Sequence, residues 1–241
     1  MKILCLDSTA KIASAAILED DAVLAEYTVQ GGLSHSELLL PMVRSLLTST
    51  GLSEEEIDLF ACAAGPGSFT GVRIGVSLIK GLAFGRGKPC AAVSSLSALA
   101  ESLAPLPGLI CPVMDARRDQ VYTALFQNGG NEPVRLLPDS AMSTSELSAL
   151  LLSRYADQPV TLVGDGYAVA SAALAAAGVS LREPPYLLRG QSAAAVGRCA
   201  YRMALCGETV SDTALSPVYL RLPQAERERL ERLNRNNDIT S

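Results

Sequence analysis

The 241-residue chain has no tryptophan, a single histidine, and aromatic residues at only 5% of positions. Without large rings, its core must be assembled from Ala, Leu, Val and Ile, for which 49% apolar content is ample. One histidine, His35, excludes zinc or iron sites built on His pairs within a subunit. A Ser-His-acid triad would have to draw on Ser34 or Ser36, neighbours in sequence that are poorly placed to face the ring. His35 therefore reads as a helix N-terminal residue making a cap or surface contact. Basic excess is also missing: the net charge is −5, with a pI near 5.0, which argues against gripping tRNA or DNA unaided. None of the six cysteines forms a C-x-x-C pair, so reduced thiols are expected rather than disulfides or a metal site. Cys5, Cys62 and Cys111 read as small core residues, while Cys199 and Cys206 share a helix face. The N-terminal apolar run is too short for a signal peptide, and residues 168–179 are too few to span a bilayer. The expectation is a soluble, cytoplasmic protein without membrane contact.

What is present alternates between strand and helix. Residues 3–6 form a short apolar strand ending in Asp7-Ser8-Thr9, and 14–18 and 23–29 continue it as a meander. Ser34 stands three residues before Glu37, the spacing of a capping box. A helix follows with Leu39, Met42, Val43 and Leu46 at helical spacing; Pro41 should kink or delay it, and Gly51 ends it. Residues 57–64 suit a buried parallel strand. A glycine-rich loop then leads into a helix over 70–84 that contains Gly71, Gly75 and Gly81. Each interior glycine costs a helix roughly 1 kcal/mol relative to alanine, so three imply that something approaches this backbone closely. After a break at Pro105-Leu106-Pro107-Gly108, the second half repeats the plan: a strand, an acidic turn at Asp115, a meander, then helices and strands. The halves rhyme as duplicated α/β lobes with a cleft between them, over 1–104 and 105–222, followed by a charged tail, 223–241. Within the tail Glu228–Arg232 and Glu231–Arg235 have i,i+4 spacing, as on a solvated helix.

Four constellations bear on chemistry. Gly65, Gly67 and Gly71 give G-x-G-x-x-x-G, one residue too long for a dinucleotide fingerprint, and Gly87-Lys88 is followed by Pro89 rather than Ser or Thr, so no Walker loop exists. Amides of Gly67 and Ser68 at a helix N-terminus still leave an anion site open beside the reading as a tight turn. Asp7 and Asp115 each end a strand at the head of a lobe, where a two-lobed ATPase would hold Mg²⁺-phosphate. Turn chemistry is the favoured reading for Asp115, followed as it is by Ala116-Arg117, and Asp7 stays open between the two. Gly164-Asp165-Gly166 is a weaker candidate for an adenosine pocket.

Several motifs occur together and in order: Asp7-Ser8-Thr9, Ser34-His35-Ser36-Glu37, Gly65-Pro66-Gly67-Ser68-Phe69-Thr70-Gly71-Val72-Arg73-Ile74-Gly75, Lys80-Gly81-Leu82-Ala83, Asp115-Ala116-Arg117-Arg118 and Pro217-Val218-Tyr219-Leu220-Arg221. Over residues 1–222 the chain thereby resembles the TsaB (YeaZ) family. The resemblance implies an α/β fold of two related actin/Hsp70-like (ASKHA, RNase H-like) lobes with mixed sheets and flanking helices. It implies a scaffold subunit that activates a catalytic paralogue, TsaD, alongside the ATPase TsaE, in transferring threonylcarbamoyl to the adenosine next to the tRNA anticodon. This chain would then have no catalytic residues, metal or cofactor of its own, would reach tRNA only through the complex, and would leave room for a nucleotide at a partner interface. The implied homodimer and TsaD face falls on His35, Leu39, Met42, Leu46, Gly71, Arg73, Gly75 and Leu78, with helix approach through the glycines. A vestigial nucleotide or anion site would comprise Asp7, Ser8, Thr9, Gly67, Ser68 and Asp115. The alternative is a free-standing ATP-dependent kinase or ATPase of the same superfamily, using Asp7, Asp115 and Gly164-Asp165-Gly166.

Overall fold

A computed structural model describes residues 1–130 and 132–221; the charged tail expected over 223–241 lies outside the described residues. Two five-stranded mixed sheets carry the chain. In the first, β1 (Lys2–Asp7), β2 (Ile12–Glu19), β3 (Ala22–Gln30), β4 (Leu59–Gly65) and β5 (Cys90–Ser94) lie in the order β3-β2-β1-β4-β5, with β2 alone running against its neighbours. In the second, β6 (Gly108–Arg117), β7 (Gln120–Asn128), β8 (Pro133–Ser143), β9 (Val160–Val163) and β10 (Leu181–Arg182) repeat that plan as β10-β9-β6-β7-β8. The duplication is thus one of strand order and direction. Buried β4, LFACAAG, is apolar throughout because both of its faces are covered.

Among the described residues six α-helices flank the sheets: α1 (His35–Thr50), α2 (Phe69–Ala83), α3 (Ser95–Glu101), α4 (Thr144–Tyr155), α5 (Tyr167–Ala176) and α6 (Ala193–Leu205). At α1, Glu37 accepts from the Ser34 amide and hydroxyl at 2.9 and 2.7 Å, completing the capping box, and Gly51 closes the helix in the left-handed region. Pro41 neither breaks nor delays α1; it is exposed, where the carbonyl that loses its donor is open to water. α1 and α2 cover one face of the first sheet. α3 lies between the sheets, its Leu96 and Leu99 packing with Ile110, Met114 and Val163.

The chain does not stay in its second half. α6 returns to the other face of the first sheet, where Val196, Cys199 and Ala200 meet Ile3, Cys5 and Leu18. Cys90 and Val210 then exchange two backbone hydrogen bonds of 2.8 Å, and Leu215 enters the core beneath α1 and α2. The Cys5 thiol donates to the Ala193 carbonyl at 3.0 Å, and burial raises its pKa.

The glycines of α2 correct an expectation. A Cβ at Gly71 would sit 2.0 Å from the Ser8 carbonyl oxygen, and one at Gly75 would sit 2.6 Å from Ser8 Oγ. Both point inward, at the turn after β1, not toward a partner helix. Gly71→Ala should destabilise the fold by about 2–3 kcal/mol, since the blocking atom is backbone. Gly75→Leu should destabilise it as well. Urea denaturation of the two variants checks both.

Candidate functional site

Three observations build the site: a carboxylate at the head of the first lobe, a cleft between the lobes, and a groove on the outer side of α1 and α2. Asp7 ends β1 and is 1% exposed. Its Oδ1 accepts the Thr9 amide at 2.9 Å and the Thr9 hydroxyl at 2.7 Å, while Oδ2 is buried without a partner. Burial is the main cause that lifts its pKa to about 6; the Thr9 donors oppose this and Asp165 reinforces it. Asp165, in the turn after β9, is likewise raised by burial; a hydrogen bond from the Asp115 backbone opposes this and the Asp115 charge reinforces it. Asp115 is exposed, and its Oδ1 accepts the Arg117 amide at 2.7 Å, which is the turn role anticipated for it.

The cleft holds about 560 Å³ and is lined by Thr9, Gly67, Ser68, Asp115, Asp165 and Tyr219 among others. The fold thus brings most of the anticipated anion constellation to one place. Ser8, however, is spent inward: its hydroxyl donates to the Gly71 carbonyl at 2.8 Å. The Ser68 amide donates to the Thr9 carbonyl at 2.7 Å, and the Ser68 hydroxyl accepts from the Gly71 amide at 3.4 Å, so that amide is not free to cradle a phosphate. Among the described residues no group of three or more His, Cys, Asp or Glu side chains could hold a metal ion.

The groove holds about 520 Å³ and is lined by His35, Ser36, Leu40, Arg73, Ile74 and Leu78 among others. Of the anticipated interface residues, His35, Arg73 and Leu78 reach it. Leu39 forms part of its floor but is 1% exposed, and Met42 and Leu46 are core residues. The reason is helical phase: positions 39, 42, 43 and 46 are the stripe turned to the sheet, and the outer stripe runs one residue away, through Ser36 and Leu40. His35 Nε2 donates to the Ala10 carbonyl at 2.8 Å, which fixes its tautomer and ties the start of α1 to the loop after β1.

Sequence reasoning named residues 217–221 only as part of a family pattern. The structure makes them a strap. The Val218 amide donates to the Ala64 carbonyl at 2.7 Å, and the Val218 carbonyl lies against Gly65, where a Cβ would sit 2.3 Å from it. Arg221 donates to the Ala116 carbonyl in the second lobe at 2.9 Å. Tyr219 lies 4.9 Å from the Phe69 ring and accepts from Arg73 Nε at 2.9 Å.

Known proteins resemble this chain. The sequence model of the family described as "TsaD: tRNA N6-adenosine threonylcarbamoyltransferase" matches residues 25–214. A Bacillus subtilis protein named tRNA threonylcarbamoyladenosine biosynthesis protein TsaB is 38% identical over 164 residues, which are 68% of this chain and 71% of that one. An Escherichia coli K12 protein of the same name is 32% identical over 223 residues, 92% of this chain and 95% of that one. The chain belongs to the TsaB family. A TsaB-family fold is also seen in a Pseudomonas aeruginosa crystal structure, described as similar to peptidase YEAZ. It is 28% identical with a TM-score of 0.78, over 91% of this chain and 99% of that one. No helix among the described residues is long and apolar enough to cross a membrane.

Asp7 yields a pH prediction. The native state binds its proton more tightly than the unfolded chain does, so its contribution to stability is full below about pH 4 and is lost as pH rises through about 6. Asp7→Asn removes that loss. In urea titrations the variant should gain about 2–3 kcal/mol on wild type between pH 4 and pH 7.5. Parallel stability curves would show that Asp7 keeps an ordinary pKa.

Proposed function

We propose that this chain serves the synthesis of threonylcarbamoyladenosine in tRNA as a non-catalytic scaffold and activator. Its partner is a TsaD-type transferase, with a TsaE-type ATPase joining the assembly and tRNA held by the complex rather than by this subunit. The observation that carries the reading is the groove between α1 and α2, an apolar surface with exposed Leu40 beside Leu78 on a protein of this family. Self-association would use the same face and therefore compete with the partner. Further support comes from what the side chains are already doing. The one histidine is committed to a carbonyl, Asp115 to its own turn, and the Ser68 amide to Thr9. A peptidase would need that histidine facing a nucleophile. The negative net charge fits a subunit that leaves nucleic acid to others. Cytoplasmic residence follows from that role.

One observation favours a second reading. The unpartnered Oδ2 of Asp7, behind a cleft of about 560 Å³, is the kind of retained cost that an ATP-dependent kinase or ATPase would carry. Micromolar MgATP binding and turnover by the isolated chain would favour it over the scaffold.

Reconstitution with TsaD- and TsaE-type subunits, ATP, threonine, bicarbonate and tRNA should give modified tRNA only when this chain is included. Leu78→Glu places a charge in the groove and should lower partner association and modification at least about ten-fold while leaving the circular dichroism spectrum unchanged. Modification that ran equally well without the chain would sink the scaffold reading.

A further inference from the structure

The groove carries an arginine that is held in place but not paired. Arg73 is exposed on α2, and among the described residues it makes no ion pair. Its guanidinium carbon lies 3.8 Å above the Phe69 ring and 5.9 Å from the Tyr219 ring. Nε donates to the Tyr219 hydroxyl at 2.9 Å, and among the described residues the terminal guanidinium nitrogens have no hydrogen-bond partner. Tyr219 is itself fixed by the strap, through Ala64 on one side and Ala116 on the other. An arginine side chain ordinarily gives up rotamer freedom on docking. Here stacking and the Nε bond restrict that freedom before any partner arrives, and a pre-organised fork is the geometry that takes a carboxylate in two parallel bonds.

A second copy has little to offer this fork. α1 and α2 carry Arg44, Arg73 and Lys80 against one carboxylate, Glu37. Glu37 is already bound to the Ser34 amide and hydroxyl, and Lys80 is turned away to the carbonyls of Thr213 and Leu215. Two such faces brought together oppose cation to cation, on a protein whose overall charge is −5.

We infer that Arg73 is the residue by which the groove tells its partners apart: it takes a carboxylate on a helix of a different subunit and finds none on a second copy, and Tyr219 is the positioning residue that aims it. The inference rests on the groove being the partner face.

The test measures both associations, with a TsaD-type subunit and with itself, by sedimentation velocity at low and high salt (about 50 and about 500 mM). Wild-type partner binding should weaken as salt rises, and self-association should hold or tighten. Arg73→Gln should weaken partner binding about ten-fold or more at low salt, flatten its salt dependence, and leave self-association no weaker. Tyr219→Ala should reproduce much of that loss although the cation remains, and Tyr219→Phe, which keeps the stack, should lose less. Arg73→Gln weakening both associations equally, or neither, would overturn the inference. Leu78→Glu separates the two claims. If it abolishes both associations while Arg73→Gln does not discriminate, only the role of Arg73 falls. If it leaves both intact, the groove is not the partner face and the inference falls with it.

Discussion

The close approach of α2 to the turn after β1 is the constraint on which the rest depends. Helix backbone lies so tightly against Ser8 that its carbonyl leaves no room for a side chain at Gly71 and its hydroxyl none at Gly75, and that hydroxyl donates across the contact to the Gly71 carbonyl. That seating fixes the axis of α2 against the sheet, and so the width of the groove shared with α1. It brings Phe69 and Arg73 to the place where the strap can hold them. It also consumes the Ser68 amide, which a phosphate loop would need to keep free. One packing arrangement thus spends an amide that a phosphate loop would need and sets an external surface.

The two lobes are joined more firmly than a single chain crossing would require. α3 fills the space between the sheets, and the strap runs from Ala64 in one lobe to Ala116 in the other. A cleft of this kind in a mobile two-lobed protein opens and closes by hinging. Here the strap crosses its mouth, so the surface around Tyr219 and Arg73 reports on both lobes at once. Such bracing would suit the proposed role of presenting a shaped face, because what is ordered in advance need not be ordered on binding.

Much of the fold was legible. Helix starts followed from Ser34 with Glu37, the stop at Gly51 from its place after the apolar stripe, and the paired lobes from the recurrence of strand, acidic turn and meander. The site was legible only in part, for identifiable reasons. Small residues at 71 and 75 reveal that something comes close, but not from which side, and the neighbour proved to be internal. The stripe at 39, 42 and 46 is the strongest periodic signal in α1 because it is core, so it drew attention from the weaker outer stripe at Ser36 and Leu40. Tyr219 has no local signature at all: it sits in an extended segment 146 residues from the arginine that it holds. Long-range contacts of that kind leave no trace in periodicity, which reports only on near neighbours.

The return of α6 and Leu215 to the first sheet bears on how the molecule comes into being. A chain emerges from the ribosome N-terminus first, and domains usually fold as they appear. In this protein the opening strands are made first, yet one face of their sheet stays bare until residues 193–205 arrive, and the other lacks Leu215. Strands β6 to β10 occupy one continuous stretch and have no such wait. The lobe synthesised second is therefore the one able to close first, and the lobe synthesised first spends most of translation with an uncovered apolar sheet. During that interval the bare sheet is open to the pairing with other chains that exposed apolar strands invite.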